Sequence, residues 1–163
     1  MYESILVATD GSEAAATAVD HAIALAERFD APLYGIAVVD ERTEYDTGIV
    51  DPEEARQHLQ ERAAGWLEEL ESTATEAGVT VETTVQSGVP HEEILDEAAD
   101  RDAGAIVLGS RGRSSFKGAL LGSTVDRVVR IADRPVLVVG GGGERVDDRS
   151  NGESPHNADG SDV

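Results

Sequence analysis

The chain has 163 residues, of which 40% are hydrophobic, so it is long and apolar enough for one globular domain. It has no cysteine and no apolar run long enough to span a bilayer, which excludes disulfide and thiol chemistry and a membrane-spanning protein. Its net charge of −20 disfavours binding to nucleic acid. The first residues already have the pattern of a strand, so no signal peptide is indicated and we expect a cytoplasmic protein.

Strand and helix patterns alternate along the chain. Apolar runs predict strands over residues 4–9, 32–39, 105–109 and 135–139, and a period-two pattern predicts a fifth strand over 79–86. Apolar residues at three- and four-residue steps predict helices after Asp10-Gly11-Ser12 and over residues 52–77, 91–100 and 123–133. A polar connection is expected over residues 40–51.

Alternating strands and helices predict an α/β fold: an open five-stranded parallel sheet with helices on both faces. We expect this Rossmann-like domain to span residues 1–139, and the acidic, Gly-rich residues 140–163 to form a disordered tail. The residues do not fix the order of the strands. If strands 2 and 3 lie on one side of strand 1 in the sheet, and strands 4 and 5 lie on its other side, the strand order reverses between strands 1 and 4. A ligand would then bind at the carboxyl ends of those two strands.

The predicted elements also assign side chains to the core and to an edge. We expect Trp66 to lie on the face of its long helix that packs into the core. In the helix over 123–133, four apolar side chains are expected mostly on one face: Val125, Val128, Val129 and Ile131. The apolar strand over 135–139 would be a sheet edge. Such an edge favours pairing with a second copy of the chain, unless the tail or a loop covers it.

The loop over residues 109–123 has the pattern Gly-x2-Gly-x9-Gly-Ser and opens the last helix. No acidic residue occurs from 103 to 125, whereas Arg111, Arg113 and Lys117 lie within the loop. Glycines let backbone N–H groups approach an anion, and a helix N-terminus adds partial positive charge, so the loop favours a phosphate site. The alternative is that the glycines serve turns and the serine caps the helix. The Walker pattern of P-loop NTPases is absent.

Asp10, at the end of the first strand, has two interpretations. The sequence Asp-Gly-Ser suits a helix N-cap or an Asx-turn. A carboxylate at the switch point would also be placed to accept hydrogen bonds from a ribose, or to hold a cation beside phosphates. The two roles are compatible because a carboxylate has two oxygens. The histidines show no metal-ligand spacing, and His91 is expected at a helix start.

Three segments resemble the universal stress protein family, in its ATP-binding branch. They are ILVATDGSEAA, SGVPHEEIL and the pattern Gly109-x2-Gly112-x9-Gly122-Ser123, and the resemblance covers about residues 2–139. It implies a sheet of order 3-2-1-4-5, ATP in the crevice at the reversal of strand order, and a homodimer through the strand over 135–139. Position 8, often proline in relatives with this site, is alanine here.

The resemblance also implies which residues bind ATP. The adenine maps to Val38 and Val39, and the ribose and its neighbouring groups map to Ala8, Thr9 and Asp10. The turn after the third strand maps to Gly88 and Val89. The phosphates, with Mg²⁺ held by them, map to Gly109, Arg111, Gly112, Arg113, Gly122, Ser123 and Thr124.

These observations favour a nucleotide-dependent stress-response or sensor module, because no carboxylate pair in the loop is placed to activate water. The alternative is a slow ATP hydrolase or an adenylyl-transfer enzyme of related fold. A phosphoacceptor receiver domain is excluded, since it needs an aspartate at the end of the third strand, where this chain has Gln86-Ser87.

The acid excess has its own interpretation. Asp and Glu number 33 against 13 Lys and Arg, and they are spread along the chain. Repulsion among them is screened at high salt, where the Debye length falls to about 3 Å at 1 M, which favours a salt-adapted protein. A DNA mimic or a binder of basic partners is the weaker alternative, because the acidic residues are not clustered.

Overall fold

A computed structural model describes residues 2–40, 51–112 and 121–140 of the chain. In chain order the elements are β1 (Ile5–Ala8), α1 (Glu13–Phe29), β2 (Leu33–Val39), α2 (Pro52–Glu76), β3 (Val81–Ser87), α3 (Pro90–Asp100), β4 (Ala105–Gly109), α4 (Ser123–Ile131) and β5 (Val136–Val139). The predicted alternation of strands and helices is confirmed. Most of the predicted connection over 40–51 and of the predicted tail lies outside the described residues.

The five strands form one parallel sheet of order β3-β2-β1-β4-β5. In the register, Ile5 of β1 pairs with Leu33 of β2 on one side and with Ala105 of β4 on the other. The strand order implied by the resemblance is therefore confirmed. β1 occupies the centre, and the reversal of strand order falls between β1 and β4.

Helices cover both faces of the sheet because alternate strand residues point to opposite sides. On one face, Ile5 and Val7 pack with buried residues of α1 and α2, such as Ala18 and Leu70. On the other face, Leu6 packs with residues of α3 and α4. The three central strands β1, β2 and β4 are buried on both sides along most of their length, which explains their apolar runs, whereas β3 and β5 at the edges are mostly half-buried or exposed.

Helix α4 is shorter than predicted and buries fewer side chains. Val125 and Val128 are buried, but Val129 is 45% exposed and Ile131 is 60% exposed. The expectation of one shared face was wrong for these two residues. At 3.6 residues per turn they lie roughly a quarter-turn to either side of the buried stripe, and the nine-residue helix contacts the sheet only along that stripe. None of the helices in the described ranges has the length and apolar character needed to cross a membrane.

Candidate functional site

A cleft of about 590 Å³ opens at the carboxyl ends of β1, β2 and β4. The chain leaves β1 toward α1 on one face of the sheet and leaves β4 toward α4 on the other, so the two connections diverge and a crevice opens between them. The predicted site residues that line it are Ala8, Thr9, Asp10, Val38, Val39, Gly109, Arg111, Gly112, Gly122, Ser123 and Thr124.

The turn between β1 and α1 forms one wall of the cleft. The backbone N–H of Ser12 donates to Oδ1 of Asp10 at 3.0 Å, which is an Asx-turn, and the N–H of Gly11 donates to Oγ1 of Thr9 at 3.3 Å. The N-cap of α1 is Ser12, whose Oγ accepts from the N–H of Ala15 at 3.1 Å. Asp10 therefore makes the Asx-turn and not the cap, and it also lines the cleft.

Gly109, at the end of β4, is required by the packing of the fold. A Cβ built on this residue would lie 2.6 Å from the backbone carbonyl carbon of Ala14 in α1. Backbone atoms cannot yield to such a contact, so the close approach of α1 to β4 needs a glycine at this position. Its presence is thus explained without a ligand.

Gly122 differs from Gly109 in this respect. Its φ is −67°, and among the described residues a Cβ there would meet its nearest atom, the backbone nitrogen of Gly112, at 3.4 Å. Neither the backbone conformation nor these contacts demand a glycine. Because Gly122 lines the cleft, a side chain at this position would occupy space that a ligand can use.

Gly122 is also the N-cap of α4, and as a glycine it has no side chain with which to cap the helix. Its own N–H donates to the carbonyl of Ser110 at 2.9 Å, which closes the loop around the helix start. The first N–H groups of a helix have no partner inside the helix, and the helix dipole places partial positive charge there. The N-terminus of α4, with Ser123 and Thr124 in the cleft wall, is therefore chemically suited to an anion.

Charges around the cleft are mixed. Among the described lining residues, Arg111 carries positive charge, whereas Asp10, Asp40 and Asp126 carry negative charge. Arg113, a predicted site residue, and Lys117 lie outside the described residues. An anion would approach the side of the cleft formed by Arg111 and the start of α4.

Helix α2 supplies an apolar wall that the sequence did not assign to the site. Leu59, Ala63 and Trp66 line the cleft, and they pack with the apolar cluster that contains Val39 at the end of β2. The prediction that Trp66 belongs to the core was incomplete: its side chain is half-buried and faces the cleft. The three- and four-residue spacing that identified the helix face was the available signal, but it does not distinguish a core from the wall of a cleft.

Gly88 and Val89 are the two described site residues that are not among those lining the cleft. Gly88 donates its N–H to the carbonyl of Val39 at 3.0 Å, and its φ of +152° favours glycine. Val89 is the N-cap of α3. The next residue, Pro90, reaches the cleft together with Ile94. This turn therefore positions α3 beside the site.

Within the described ranges, no group of three histidine, aspartate or glutamate side chains converges to hold a metal ion. The described part of the cleft offers backbone donors at a helix start, the guanidinium of Arg111, the carboxylate of Asp10 fixed in a turn and an apolar wall. These are the elements of a binding site for an anion that also carries an apolar or aromatic group.

The fold and the cleft define a doubly wound α/β protein with its site at the switch point. The model of the universal stress protein family matches residues 1–140, and the chain belongs to that family. The universal stress protein MJ0531 of Methanocaldococcus jannaschii is 36% identical over 144 residues, which cover 85% of this chain and 82% of that protein.

Solved structures agree with this assignment. The structure of MJ0577, a universal stress protein of the same organism, has a TM-score of 0.74 at 32% identity and covers 86% of this chain and 96% of its own. A universal stress protein solved in complex with cAMP has a TM-score of 0.64 at 28% identity, covering 85% of this chain and 97% of its own.

Proposed function

We propose that this protein binds ATP in the cleft and acts as a nucleotide-dependent stress-response or sensor module. The observation that carries the proposal is Gly122 at the start of α4. The described fold does not require a glycine there, yet its position beside open helix N–H groups suits close contact with a phosphate. The cAMP complex of a similar protein supports an adenine nucleotide as the ligand class.

In the proposed arrangement, the phosphates lie against residues 109–124, the ribose lies beside Asp10, and the adenine lies by Val38 and Val39. Leu59 and Trp66 of α2 pack against the apolar cluster that contains Val39, so the base would lie beside a continuous apolar surface formed by the end of β2 and by α2.

Mg²⁺ would be held by the phosphates in this arrangement. The described residues offer no ready-made set of metal ligands, whereas Mg²⁺ commonly binds through substrate phosphates and one or two carboxylates. The ion would also reduce repulsion between the nucleotide and the carboxylates of Asp10 and Asp126.

A binding module needs no general base, and the proposal includes none. The Asp10 carboxylate already accepts a hydrogen bond within its turn, which suits a fixed contact with ligand better than proton transfer. Slow ATP hydrolysis is the competing activity, and a time course of product formation distinguishes the two.

We further propose a cytoplasmic homodimer assembled through β5. This strand pairs only with β4 among the described strands, so it is a sheet edge. Leu137 in β5 is 39% exposed, and the apolar side chains of Val129 and Ile131 are exposed on the neighbouring α4. Pairing two such edges would bury apolar surface and satisfy open backbone groups.

The test is to denature the purified protein and identify any small molecule released by mass spectrometry. ATP with Mg²⁺ is then titrated by calorimetry, and ADP and AMP are followed over time. We expect one adenine nucleotide per chain and no linear product formation. A linear increase of ADP or AMP with time would favour the alternative of an ATP-consuming enzyme. The absence of any ATP binding would contradict the proposal.

A further inference from the structure

The indole of Trp66 in α2 lies directly against Gly11, in the turn between β1 and α1. A Cβ built on Gly11 would lie 2.3 Å from Cε2 of Trp66 and 2.4 Å from its Nε1. Gly11 also has a φ of +77°, a conformation that side chains rarely adopt. The indole therefore packs directly against the backbone of Gly11, which remains exposed to solvent elsewhere.

The same indole separates two cavities. Trp66 lines the cleft of about 590 Å³, and it also lines a smaller cavity of about 170 Å³ between α1 and α2. Thr9 lines both cavities as well, whereas Gly11 and Ser12 line only the smaller one. Truncating Trp66 would open the two cavities to each other at the turn.

The hydrogen bonds of the turn lie on either side of this contact. Oδ1 of Asp10 accepts from the N–H of Ser12, and Oγ1 of Thr9 accepts from the N–H of Gly11; both bonds are partly buried. Gly11 itself is exposed to solvent, so the indole does not shield these bonds from water. The indole packs against the backbone between them, and this contact limits the conformations that the turn can adopt.

We propose that Trp66 is a positioning residue that fixes the Asp10 carboxylate for the hydroxyls of the ribose. The inference rests on the proposed function, in which Asp10 contacts the ribose. A carboxylate in a turn that is held by a packed side chain keeps its two oxygens in a fixed orientation. The preference of the site for a ribose over a sugar without hydroxyls therefore depends on a side chain that need not touch those hydroxyls.

The test compares the affinities of ATP and 2′,3′-dideoxy-ATP for four proteins: wild type, Trp66→Ala, Trp66→Phe and Leu59→Ala. Wild type should prefer ATP. Trp66→Ala should weaken ATP about tenfold and the dideoxy nucleotide much less, so that the ratio of the two affinities approaches one. Trp66→Phe should restore most of the preference for ATP over the dideoxy nucleotide, because an aromatic ring again packs against Gly11. Leu59→Ala, on the same wall but away from the turn, should weaken both nucleotides equally.

Gly11→Ala is a supporting variant: its methyl group displaces the indole, and it also strains the turn at φ +77°, so its result is interpreted only together with that of Trp66→Ala. A double-mutant cycle with Asp10→Ala adds a readout that a general loss of stability would not change. Once Asp10 is absent, Trp66→Ala should have no further effect on the ratio.

The outcomes are distinguishable. If wild type binds neither nucleotide, the proposed function is wrong. If wild type binds both equally, or if folded Trp66→Ala and Gly11→Ala proteins keep the wild-type ratio, the positioning role is wrong while nucleotide binding stands. The positioning role is supported if the ratio of the two affinities approaches one in Trp66→Ala and in Gly11→Ala and recovers in Trp66→Phe.

Discussion

The carboxylate of Asp10 lies against the backbone of Gly112. A Cβ built on Gly112 would stand 2.8 Å from Oδ2 of Asp10, although the two residues are far apart in the sequence. Nearby, Oγ of Ser12 lies 3.5 Å from the carbonyl oxygen of Arg111. The turn after β1 therefore contacts the first residues after β4, although the two connections lead to helices on opposite faces of the sheet, and the proposed ribose and phosphate contacts are adjacent.

Gly112→Ala is expected to weaken ATP binding about tenfold, or about 1.4 kcal/mol. The new methyl group would push the Asp10 carboxylate away from its present position. Because that carboxylate is the end of a flexible side chain, the fold should survive with little loss of stability. Calorimetric titration of ATP and thermal unfolding measure the two effects separately.

Gly65→Ala is the matched control for this prediction. Among the described residues outside its own helix, no atom lies within 4 Å of a Cβ built on Gly65 in α2. This variant should raise the free energy of unfolding by up to about 1 kcal/mol through helix propensity, with ATP affinity unchanged. Equal ATP affinity in Gly112→Ala and Gly65→Ala would contradict the role of the Asp10–Gly112 contact.

Gly122→Val is expected to abolish ATP binding. Its φ of −67° permits a side chain, and a Cβ at this buried position meets the described backbone atoms only at ordinary contact distance, so the first carbon of the side chain fits. The isopropyl group would then occupy the space where the phosphates are proposed to meet the start of α4. Circular dichroism verifies folding, and titration measures binding. Unchanged ATP affinity in the folded variant would remove residues 109–124 as the phosphate site.

The protein is expected to be a homodimer in high salt, with twice the 17.1 kDa mass of one chain. Leu137→Asp should yield a monomer, because it places a charge on the apolar edge strand. Light scattering during gel filtration measures the mass of the wild-type protein and that of the Leu137→Asp variant. A wild-type protein that is monomeric at micromolar concentration would refute assembly through β5.

A chain that ends at Gly141 is expected to keep its fold and its ATP affinity. The residues after Gly140 have few apolar side chains, and fixing each residue would cost roughly 1–2 kcal/mol of conformational entropy. Thermal unfolding and ATP titration of the shortened and full-length chains give the comparison. Loss of either property would show that the tail is structural.

The melting temperature is expected to rise with potassium chloride concentration, both with and without ATP–Mg²⁺. Repulsion at a net charge of −20 acts over the whole surface and is screened by salt. ATP stabilises by mass action, about 2.7 kcal/mol at a hundredfold excess over Kd, and should add to the salt effect. A melting temperature that does not change with salt would contradict the interpretation of the acid excess as salt adaptation.

Local patterns in the sequence determined the elements of this protein. The alternation of apolar residues and their helical spacing predicted five strands and four helices. The sequence Asp-Gly-Ser left Asp10 as a helix N-cap or an Asx-turn, and the structure shows the Asx-turn. The family resemblance added the strand order, which the residues alone had left as an assumption. These features could be predicted because they depend on neighbours within a few residues, or on motifs that identify a family.

Tertiary structure alone decided what each side chain or glycine contacts. It separated Gly109, which α1 requires, from Gly122, which the described fold does not, although both belong to one motif. It also placed Trp66 over Gly11 in the wall of the cleft and left Ile131 exposed. The spacing of residues along a helix gives the direction of a side chain, but what that side chain meets depends on segments distant in the sequence. The residue that a side chain contacts is therefore decided only when the helices pack on the sheet.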